Sequence, residues 1–343
     1  MRPTFSIILF TVLSGAGYGL WFLIGLALTT LWPHCGPSQR GGSFTFCVYP
    51  AALPCGLIVG FALVSAGLLS SLGHLGQPRR AWRALSQWRS SWLSREGVAS
   101  ILTYAPALAL IVIEGMRLRS AMQPADLSAP AAGMNLDGWN LALGALLAVG
   151  SAATVFCTAH IYASLMPIRA WHNRYVVPGY LLLGLYGGAL CLWVLETLPG
   201  TWRMRETPGL LVGLVVVATA SALLKVFYWR QIDRAPTVSA GHAIGLESLG
   251  SVRSFEQPHT EENYLTHEMG FVLARKHSRK LRAIALLAGF LVPALLALLG
   301  LAMPATRFAA GWLALVSGMT GVFVERWLFF AEAKHAVMAY YGR

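Results

Sequence analysis

The densest group of side chains that could do chemistry lies between His74 and Gly97, in the run HLGQPRRAWRALSQWRSSWLSREG. His74 begins the run and Glu96 stands near its end. Histidine titrates near neutral pH, and a partly buried glutamate can also exchange protons in that range. The residues between them include Arg79, Arg80, Arg83, Trp82 and Trp88.

This run suits the chemistry of a quinone, because each of its ends adjoins an apolar segment long enough to cross a bilayer. A quinone is apolar and arrives from the lipid, so its site must open near the membrane interface. Its reduction or oxidation moves two electrons and two protons, which requires a hydrogen-bond donor and a proton-exchanging group. The arginines could orient the headgroup, and a tryptophan could stack on it. The plain alternative is that His74 only stops a helix, while the arginines only set topology and contact lipid phosphate.

The elements that must position these residues are membrane-spanning helices. Hydrophobic residues make up 56% of the 343 residues and charged residues 12%, whereas soluble domains carry roughly 25% charged residues. Eight segments reach the ~20 mostly apolar residues that a spanning helix needs. They cover residues 5–32, 51–72, 97–117, 138–165, 175–198, 207–230, 281–302 and 306–331. The sequence therefore predicts an all-α integral membrane protein with a single membrane domain.

The basic residues predict the orientation of this bundle. Eight spans place both termini on one side, side A, together with the connections 73–96, 166–174 and 231–280. Side A carries eighteen Lys and Arg residues and side B carries six, while Lys225 and Arg326 lie within spans. Because cytoplasmic connections are enriched in Lys and Arg, side A and both termini are predicted to be cytoplasmic. Short basic connections between apolar spans also argue against nucleic-acid binding.

The connection 231–280 is the one sizeable extramembrane segment in this topology. Its first half is rich in Ser, Gly and Ala, whereas the stretch from Glu261 to Arg282 is predicted to be helical. Acidic residues come early in that stretch and basic residues late, as the helix dipole favours. The helix could lie on the membrane surface, contact a partner, or form a solvated extension of the seventh span.

Two motifs of the polar run resemble a known family. His74 to Ala81 reads His-Leu-Gly-x-Pro-x-Arg-Ala, and Ser94-Arg95-Glu96 follows it. With their position between the second and third of eight spans, they resemble the membrane-anchor subunits of the DMSO reductase family, the DmsC-like group of the wider NrfD-type anchors. The stretches Glu268 to His277 and Glu325 to Ala333 resemble the longer members of that group. The likeness covers essentially the whole sequence.

The resemblance implies a quinone-binding membrane-anchor subunit. Such anchors bind menaquinol or ubiquinol and carry no haem or cluster. They hold an electron-transfer subunit with [4Fe–4S] clusters, which connects to a catalytic subunit with molybdenum bis-pterin guanine dinucleotide. In the family the matching histidine and glutamate are implicated in quinol binding, which assigns that role to His74 and Glu96. The motif arginine adds Arg80, and its neighbours Arg79 and Trp82 complete the predicted quinone site.

The predicted orientation differs from that of the best-known reductase anchors, in which the motif connection faces the periplasm. A cytoplasmic motif and the additional segment from Glu261 to Arg282 more closely resemble the anchor of sulfite dehydrogenases of the SoeABC type. In those complexes electrons run from sulfite through the clusters into quinone, on the inner face of the bacterial cytoplasmic membrane. The alternative within the family is an anchor of a DMSO or other S- or N-oxide reductase that oxidises menaquinol.

Functions of other classes are also compatible with eight spans. A secondary transporter should show matching broken helices in two halves and polar groups near the midplane, whereas the polar groups here gather at one face. A purely structural tether is a further alternative. His160, His172 and His335 could suggest haem ligation, which requires histidines aligned on facing helices, yet most histidines of this protein lie in connections.

Three further carboxylates at membrane depth, Glu114, Glu196 and Glu325, could form a proton path toward side B. The more conservative expectation is structural. Glu325 and Arg326 would then pair with neighbouring helices, while Glu114, Glu196 and Lys225 would snorkel toward the interface. The five cysteines are scattered without a CxxC pair, so no metal site is expected in this protein.

Overall fold

In the part of the protein that it describes, a computed structural model shows eight helices of membrane-spanning length. It describes residues 4–30, 52–73, 75–122, 137–198, 208–234 and 273–341, with residues 241, 244–246, 248, 250, 252, 255 and 256. The helices are α1 (Phe5–Thr30), α2 (Ala52–Leu72), α3 (Trp92–Met122), α4 (Asp137–Ala163), α5 (Val176–Thr197), α6 (Pro208–Arg234), α7 (Leu273–Leu286, continued by a π-helical turn Leu287–Leu291 and by Val292–Ala302) and α8 (Arg307–Ala331). All eight are apolar enough to cross a bilayer, which confirms the prediction of an all-α membrane protein.

The centre of the bundle is formed by α1 and α5. Their apolar windows are 67% and 72% buried, against 28–39% for the other six spans. The two backbones come close where Gly15 and Gly19 of α1 face Gly184 and Gly188 of α5. A Cβ atom at Gly19 would overlap the carbonyl group of Gly184. The paired small-xxx-small spacing therefore permits this close crossing, as is common between membrane helices.

Contacts between helix ends show which ends share a face. At the start of α1, the carbonyl of Ser6 accepts a hydrogen bond from Ser70 Oγ near the end of α2, at 3.2 Å. Trp171, in the α4–α5 connection, donates from Nε1 to the Phe329 carbonyl near the end of α8, at 3.0 Å. The start of α1, the end of α2, the α4–α5 connection and the end of α8 are the parts that eight crossings place on side A. Both contacts therefore agree with an even number of crossings.

Arg282 ties three helices together on the same face. Its Nη1 lies 2.6 Å from Asp233 Oδ2 of α6, and its Nε lies 2.9 Å from Glu332 Oε1 directly after α8. Burial raises the pKa of the Glu332 carboxyl, and the charge of Arg282 opposes part of that rise. Arg282 also ends the predicted helical stretch, of which residues 273–282 are helical and residues 261–272 lie outside the described part of the protein.

The π-helical turn of α7 is stabilised by side chains of neighbouring helices. Pro293 has no N–H group to return to the carbonyl of Gly289, four residues earlier. Tyr186 of α5 donates its hydroxyl to that carbonyl. Ser317 of α8 donates to the adjacent carbonyl of Ala288 at 2.8 Å. Side chains from two helices thus satisfy backbone groups at the irregular turn, as a bilayer interior requires.

Candidate functional site

Glu96 lies at the side A end of α3 with its carboxyl group inside the bundle. The third span was predicted over 97–117, but the helix begins at Trp92, so Glu96 lies within its first two turns. Glu96 is only 5% exposed. Thr158 of α4 donates a hydrogen bond from Oγ1 to Glu96 Oε1. A carboxyl group at a helix end is thus enclosed and held by one defined donor.

Glu96 stands at one end of a seam of buried polar side chains between α3 and α4. The members are Glu96, Ser100 and Thr103 on α3, and Ser151, Thr154 and Thr158 on α4, all of them buried. The two halves meet where Thr103 Oγ1 lies 3.3 Å from Thr154 Oγ1. The predicted site did not include Thr158. Its signal was the three- and four-residue spacing of polar residues on both helices, which places each set on one helix face.

Aromatic side chains occupy the same turns of α3 and α4 as the Glu96–Thr158 pair. The His160 ring lies 4.4 Å from the Trp92 ring and 4.1 Å from the Phe156 ring, measured between centroids. Its Nδ1 lies 3.0 Å from the Phe156 carbonyl, which can only accept, so Nδ1 carries the proton. Arg95 lies over the Trp92 ring at 4.3 Å. A mostly apolar, aromatic wall with few polar atoms is the type of surface that small planar ligands occupy.

Three other predicted quinone residues, Arg79, Arg80 and Trp82, lie on a 3₁₀ helix, Pro78–Gln87, that packs on the start of α3. Ser94 of α3 donates its hydroxyl to the carbonyl of Ala84 in this segment. Within the segment, Arg79 and Arg80 are exposed, and Trp82 is 68% exposed.

The structure therefore brings only part of the predicted quinone set to one place. Glu96 is buried, whereas Arg79, Arg80 and Trp82 lie on the outer surface of side A. His74 lies outside the described residues. The role of these residues toward quinone stays a prediction.

A second buried polar site joins α6 to α8. The Glu325 carboxylate binds Arg326 through two contacts, Nε–Oε2 at 2.5 Å and Nη2–Oε1 at 2.9 Å. Lys225 of α6 reaches the same carboxylate with its Nζ, which confirms that Glu325 pairs with a neighbouring helix. The expectation that Lys225 snorkels is wrong. It is 3% exposed, and its Nζ lies 4.1 Å from the Tyr228 ring.

The two remaining carboxylates of the predicted proton path lie toward side B. Glu114 is 5% exposed and accepts hydrogen bonds from Arg117 Nη1 at 2.9 Å and Asn140 Nδ2 at 3.0 Å. It is therefore paired inside the bundle and does not snorkel. Glu196 is half-buried at the end of α5. A proton path through Glu114, Glu196 and Glu325 stays a prediction.

The histidines considered as haem ligands each contact a backbone group near them in the sequence. His172 Nδ1 lies 2.7 Å from the Ala163 carbonyl, and His335 Nδ1 accepts from the Val337 N–H at 3.1 Å. Within the part of the protein that the structure describes, no three His, Cys, Asp or Glu side chains form a group that could hold a metal ion.

Comparison with known proteins decides the family. The C subunit of the sulfite dehydrogenase of Allochromatium vinosum is 32% identical to this protein over 349 aligned residues, which cover 99% of each sequence. The chain belongs to the DMSO reductase anchor subunit (DmsC) family. The model of the DmsC family matches residues 1–123, a range that contains both motifs of the polar run. The family resemblance seen in the sequence is thereby confirmed.

A more distant relative of this DmsC-family protein is the C polypeptide of the anaerobic dimethyl sulfoxide reductase of Escherichia coli. The two are 23% identical over 168 residues, which cover 48% of the present sequence and 53% of the relative. No solved structure matches the protein. The DmsC-family assignment and the eight apolar helices make this protein the integral membrane anchor subunit of a DMSO reductase-type complex.

Proposed function

We propose that this anchor binds a membrane quinone, ubiquinone or menaquinone, beside Glu96 and transfers electrons between it and an iron–sulfur subunit. The observation that carries the proposal is the buried Glu96 carboxyl group, held by Thr158 at the side A end of α3. The aromatic group of Trp92, Phe156 and His160 on the same turns supplies an apolar wall. This combination of a proton-exchanging group with an apolar surface near a membrane boundary fits a quinone headgroup.

The residues around Glu96 have separate tasks in this proposal. A bound quinone takes up two electrons and two protons when it becomes quinol. Glu96 exchanges a proton with a headgroup oxygen, and Thr158 orients the carboxyl group by donating to Oε1. His74 provides the second polar contact that the family motif implies. Arg79, Arg80 and Trp82 lie on the outer surface of side A, where they are available to a partner subunit as well as to a headgroup.

We propose that the complex containing this anchor oxidises sulfite on the cytoplasmic side of the bacterial inner membrane. Sulfite and water yield sulfate, two electrons and two protons. The electrons pass from a molybdenum bis-pterin guanine dinucleotide subunit through [4Fe–4S] clusters of a second subunit to the quinone. Support comes from the full-length similarity to the C subunit of a sulfite dehydrogenase and from the excess of Lys and Arg on side A.

A second candidate is the anchor of a DMSO or other S- or N-oxide reductase, in which electrons run from menaquinol to the substrate. The similarity to the dimethyl sulfoxide reductase polypeptide of Escherichia coli supports it over about half of the sequence. The complex purified through a tag on the anchor discriminates the two. Sulfite-dependent quinone reduction supports the first candidate, and DMSO-dependent quinol oxidation supports the second.

The quinone site is tested by Glu96→Gln in the same purified complex. We expect quinone-linked turnover to fall about 10²-fold, the usual size of a lost general acid–base contribution. Electron transfer to a soluble redox dye at the partner subunits should be unchanged, because it bypasses the anchor.

The matched control is Glu114→Gln, at the other end of the same helix. Glu114 is buried to the same extent as Glu96, so both variants remove one enclosed carboxylate from α3. Glu114→Gln should retain quinone-linked turnover, because Glu114 is paired with Arg117 and Asn140 toward side B and the proposed site does not use it. A loss of turnover in Glu114→Gln would instead support the predicted proton path. Full turnover in Glu96→Gln, with the dye-linked rate intact in both variants, would contradict the proposed site.

A further inference from the structure

A small cavity lies between α1, α4, α5 and α8. Its volume of about 20 Å³ has room for one water molecule. Glycine and aliphatic side chains form much of the wall, and Thr11 and Ser14 on that wall each donate to a carbonyl of their own helix. Four further polar residues from four helices complete the lining. They are Tyr18 of α1, Thr158 of α4, Tyr180 of α5 and Arg326 of α8.

Three polar atoms of these lining residues make no hydrogen bond of good geometry among the residues that the structure describes, although Tyr18 lies beside Ser100 and Thr154, and Tyr180 lies beside Arg326. These atoms are the hydroxyl groups of Tyr18 and Tyr180 and the Nη1 group of Arg326. The three residues are 2%, 6% and 3% exposed, so bulk solvent does not satisfy them. Buried polar groups in proteins are bonded to protein or to ordered water in the large majority of cases. A cavity of this size with several unsatisfied polar groups on its wall can hold such a water.

The cavity lies between two of the buried charged sites that the structure describes. On one side, Thr158 donates to Glu96. On the other side, Arg326 is held by Glu325, which also pairs with Lys225. Lys225, Glu325 and Arg326 together carry one positive charge in excess, and the other carboxyl group near Lys225, that of Glu332, is already paired with Arg282. In a low-dielectric interior this excess favours a negative charge nearby, and Glu96 is the carboxyl group reached through Thr158.

We propose that the cavity is an internal water site whose water links Arg326 to the Thr158–Glu96 pair, so that the buried cluster controls the protonation of Glu96. Arg326 Nη1 donates to the water, the water donates to Thr158 Oγ1, and Thr158 donates to Glu96. With the single hydroxyl proton of Thr158 directed to Glu96 rather than to the Thr154 carbonyl 3.0 Å away, every hydrogen bond in this series points toward the carboxylate and favours its ionised form. The hydroxyl groups of Tyr18 and Tyr180 in the cavity wall form the two remaining hydrogen bonds of the water. This inference deepens the proposed function, because it names the groups that tune the proton exchanger of the quinone site.

Few other charged groups compete with Arg326 for this role. The titratable neighbours of Glu96 come from four helices. They are Arg95 on α3, Cys157, His160 and Tyr162 on α4, Tyr18 on α1 and Tyr180 on α5. The Nδ1 of His160 is held by the Phe156 carbonyl of its own helix, at 3.0 Å. Tyrosine and cysteine are ordinarily neutral at pH 7. Arg95 is directed away from the carboxyl group, since its Nε and Nη2 donate to the carbonyls of Trp88 and Arg89.

The test is an infrared titration of Glu96 in the resting complex, without quinone turnover. The C=O band of the protonated carboxyl group is assigned by its loss in Glu96→Gln. Gly15→Ala adds a methyl group to the cavity wall without a clash, since its Cβ would lie 3.9 Å from Gly184 Cα. The double variant Tyr18→Phe with Tyr180→Phe removes two ligands of the water. In both we expect the midpoint of the titration to rise by about one pH unit, and a water band sensitive to H₂¹⁸O to disappear.

Two matched controls should leave the midpoint and the water band unchanged. Gly213→Ala adds a methyl group on α6, where nothing lies within 4 Å. Tyr228→Phe removes a hydroxyl that is also buried and without a partner among the described residues, but that does not line the cavity. A wild-type midpoint or a surviving water band in Gly15→Ala and in the double variant overturns the water link. That result leaves the quinone assay of Glu96→Gln unaffected, so the two proposals can fail separately.

Discussion

Glu325 is the residue whose loss should destabilise the protein most among the buried charges. Its carboxylate pairs with Lys225 and Arg326 at once, and all three residues are at most 3% exposed. Glu325→Gln leaves two buried cations without an anion, which should cost about 3–5 kcal/mol. Lys225→Met leaves the bidentate pair of Glu325 and Arg326 neutral and should cost only about 1–2 kcal/mol, mainly from the lost contact with an aromatic ring.

The measurement is the apparent melting temperature of the purified complex, from fluorescence-detected size exclusion after heating. Lys280→Met is the control for the change of residue type, because Lys280 is exposed and its removal should leave the melting temperature unchanged. A Lys225→Met variant less stable than Glu325→Gln would contradict the assignment of Glu325 as the shared anion.

At the scale of residues, the sequence identified functional side chains that stand close together in the sequence. It did not identify partners that come together only through tertiary packing. Glu96 was identifiable because it ends a polar run between two apolar spans. Its partner Thr158 lies 62 residues away on α4, and a threonine in an apolar helix leaves hydropathy almost unchanged. Lys225 looked like a snorkelling residue near a helix end, since only the packing of α6 against α8 reveals Glu325 beside it.

At the scale of elements, the π-helical turn of α7 depends on a hydroxyl group from α5. Tyr186→Phe leaves the Gly289 carbonyl without its donor, which should cost about 1–3 kcal/mol for an unsatisfied buried group. Pro293→Ala supplies an N–H group that can return to the same carbonyl. The two substitutions should therefore be coupled, and Tyr186→Phe should cost clearly less in the Pro293→Ala background.

A double-mutant cycle on the melting temperature of the complex measures this coupling. Ser317→Ala is the comparison within the same turn, because Ser317 bonds Ala288 and not Gly289, so its effect should add to that of Pro293→Ala. Additive effects of Tyr186→Phe and Pro293→Ala would show that the proline does not create the need for the hydroxyl.

The number of helices could be predicted from the sequence, but the residues at which the helices begin and end could be predicted less well. All eight spans follow from runs of apolar residues of bilayer length. The start of α3 at Trp92 was missed, because Ser94, Arg95 and Glu96 are polar and resemble a connection. The helix persists there because Ser94 and Glu96 find partners inside the protein, the Ala84 carbonyl and the Thr158 hydroxyl. Hydropathy measures the preference for lipid and does not register such internal partners.

At the scale of the whole molecule, the close crossing of α1 and α5 connects the site to the rest of the bundle. Gly15 lies at this crossing and also lines the central cavity. Tyr18 of α1 and Tyr180 of α5 reach the same cavity from the two central helices. The packing that builds the core therefore also sets the spacing of the polar groups between Glu96 and Arg326.

The orientation of the molecule is the property on which sulfite oxidation at the cytoplasmic side depends. Side A carries eighteen Lys and Arg residues against six on side B, and this bias favours a cytoplasmic side A. A fluorescent protein fused after Arg343 should therefore fluoresce, and alkaline phosphatase at the same point should be inactive. Fusions within the connection 123–136 are the matched control and should give the opposite pair of results. Active phosphatase after Arg343 would place Glu96 and the Arg79–Arg80 surface at the periplasmic face, where the partner subunits of a periplasmic reductase would dock, and would favour the reductase candidate.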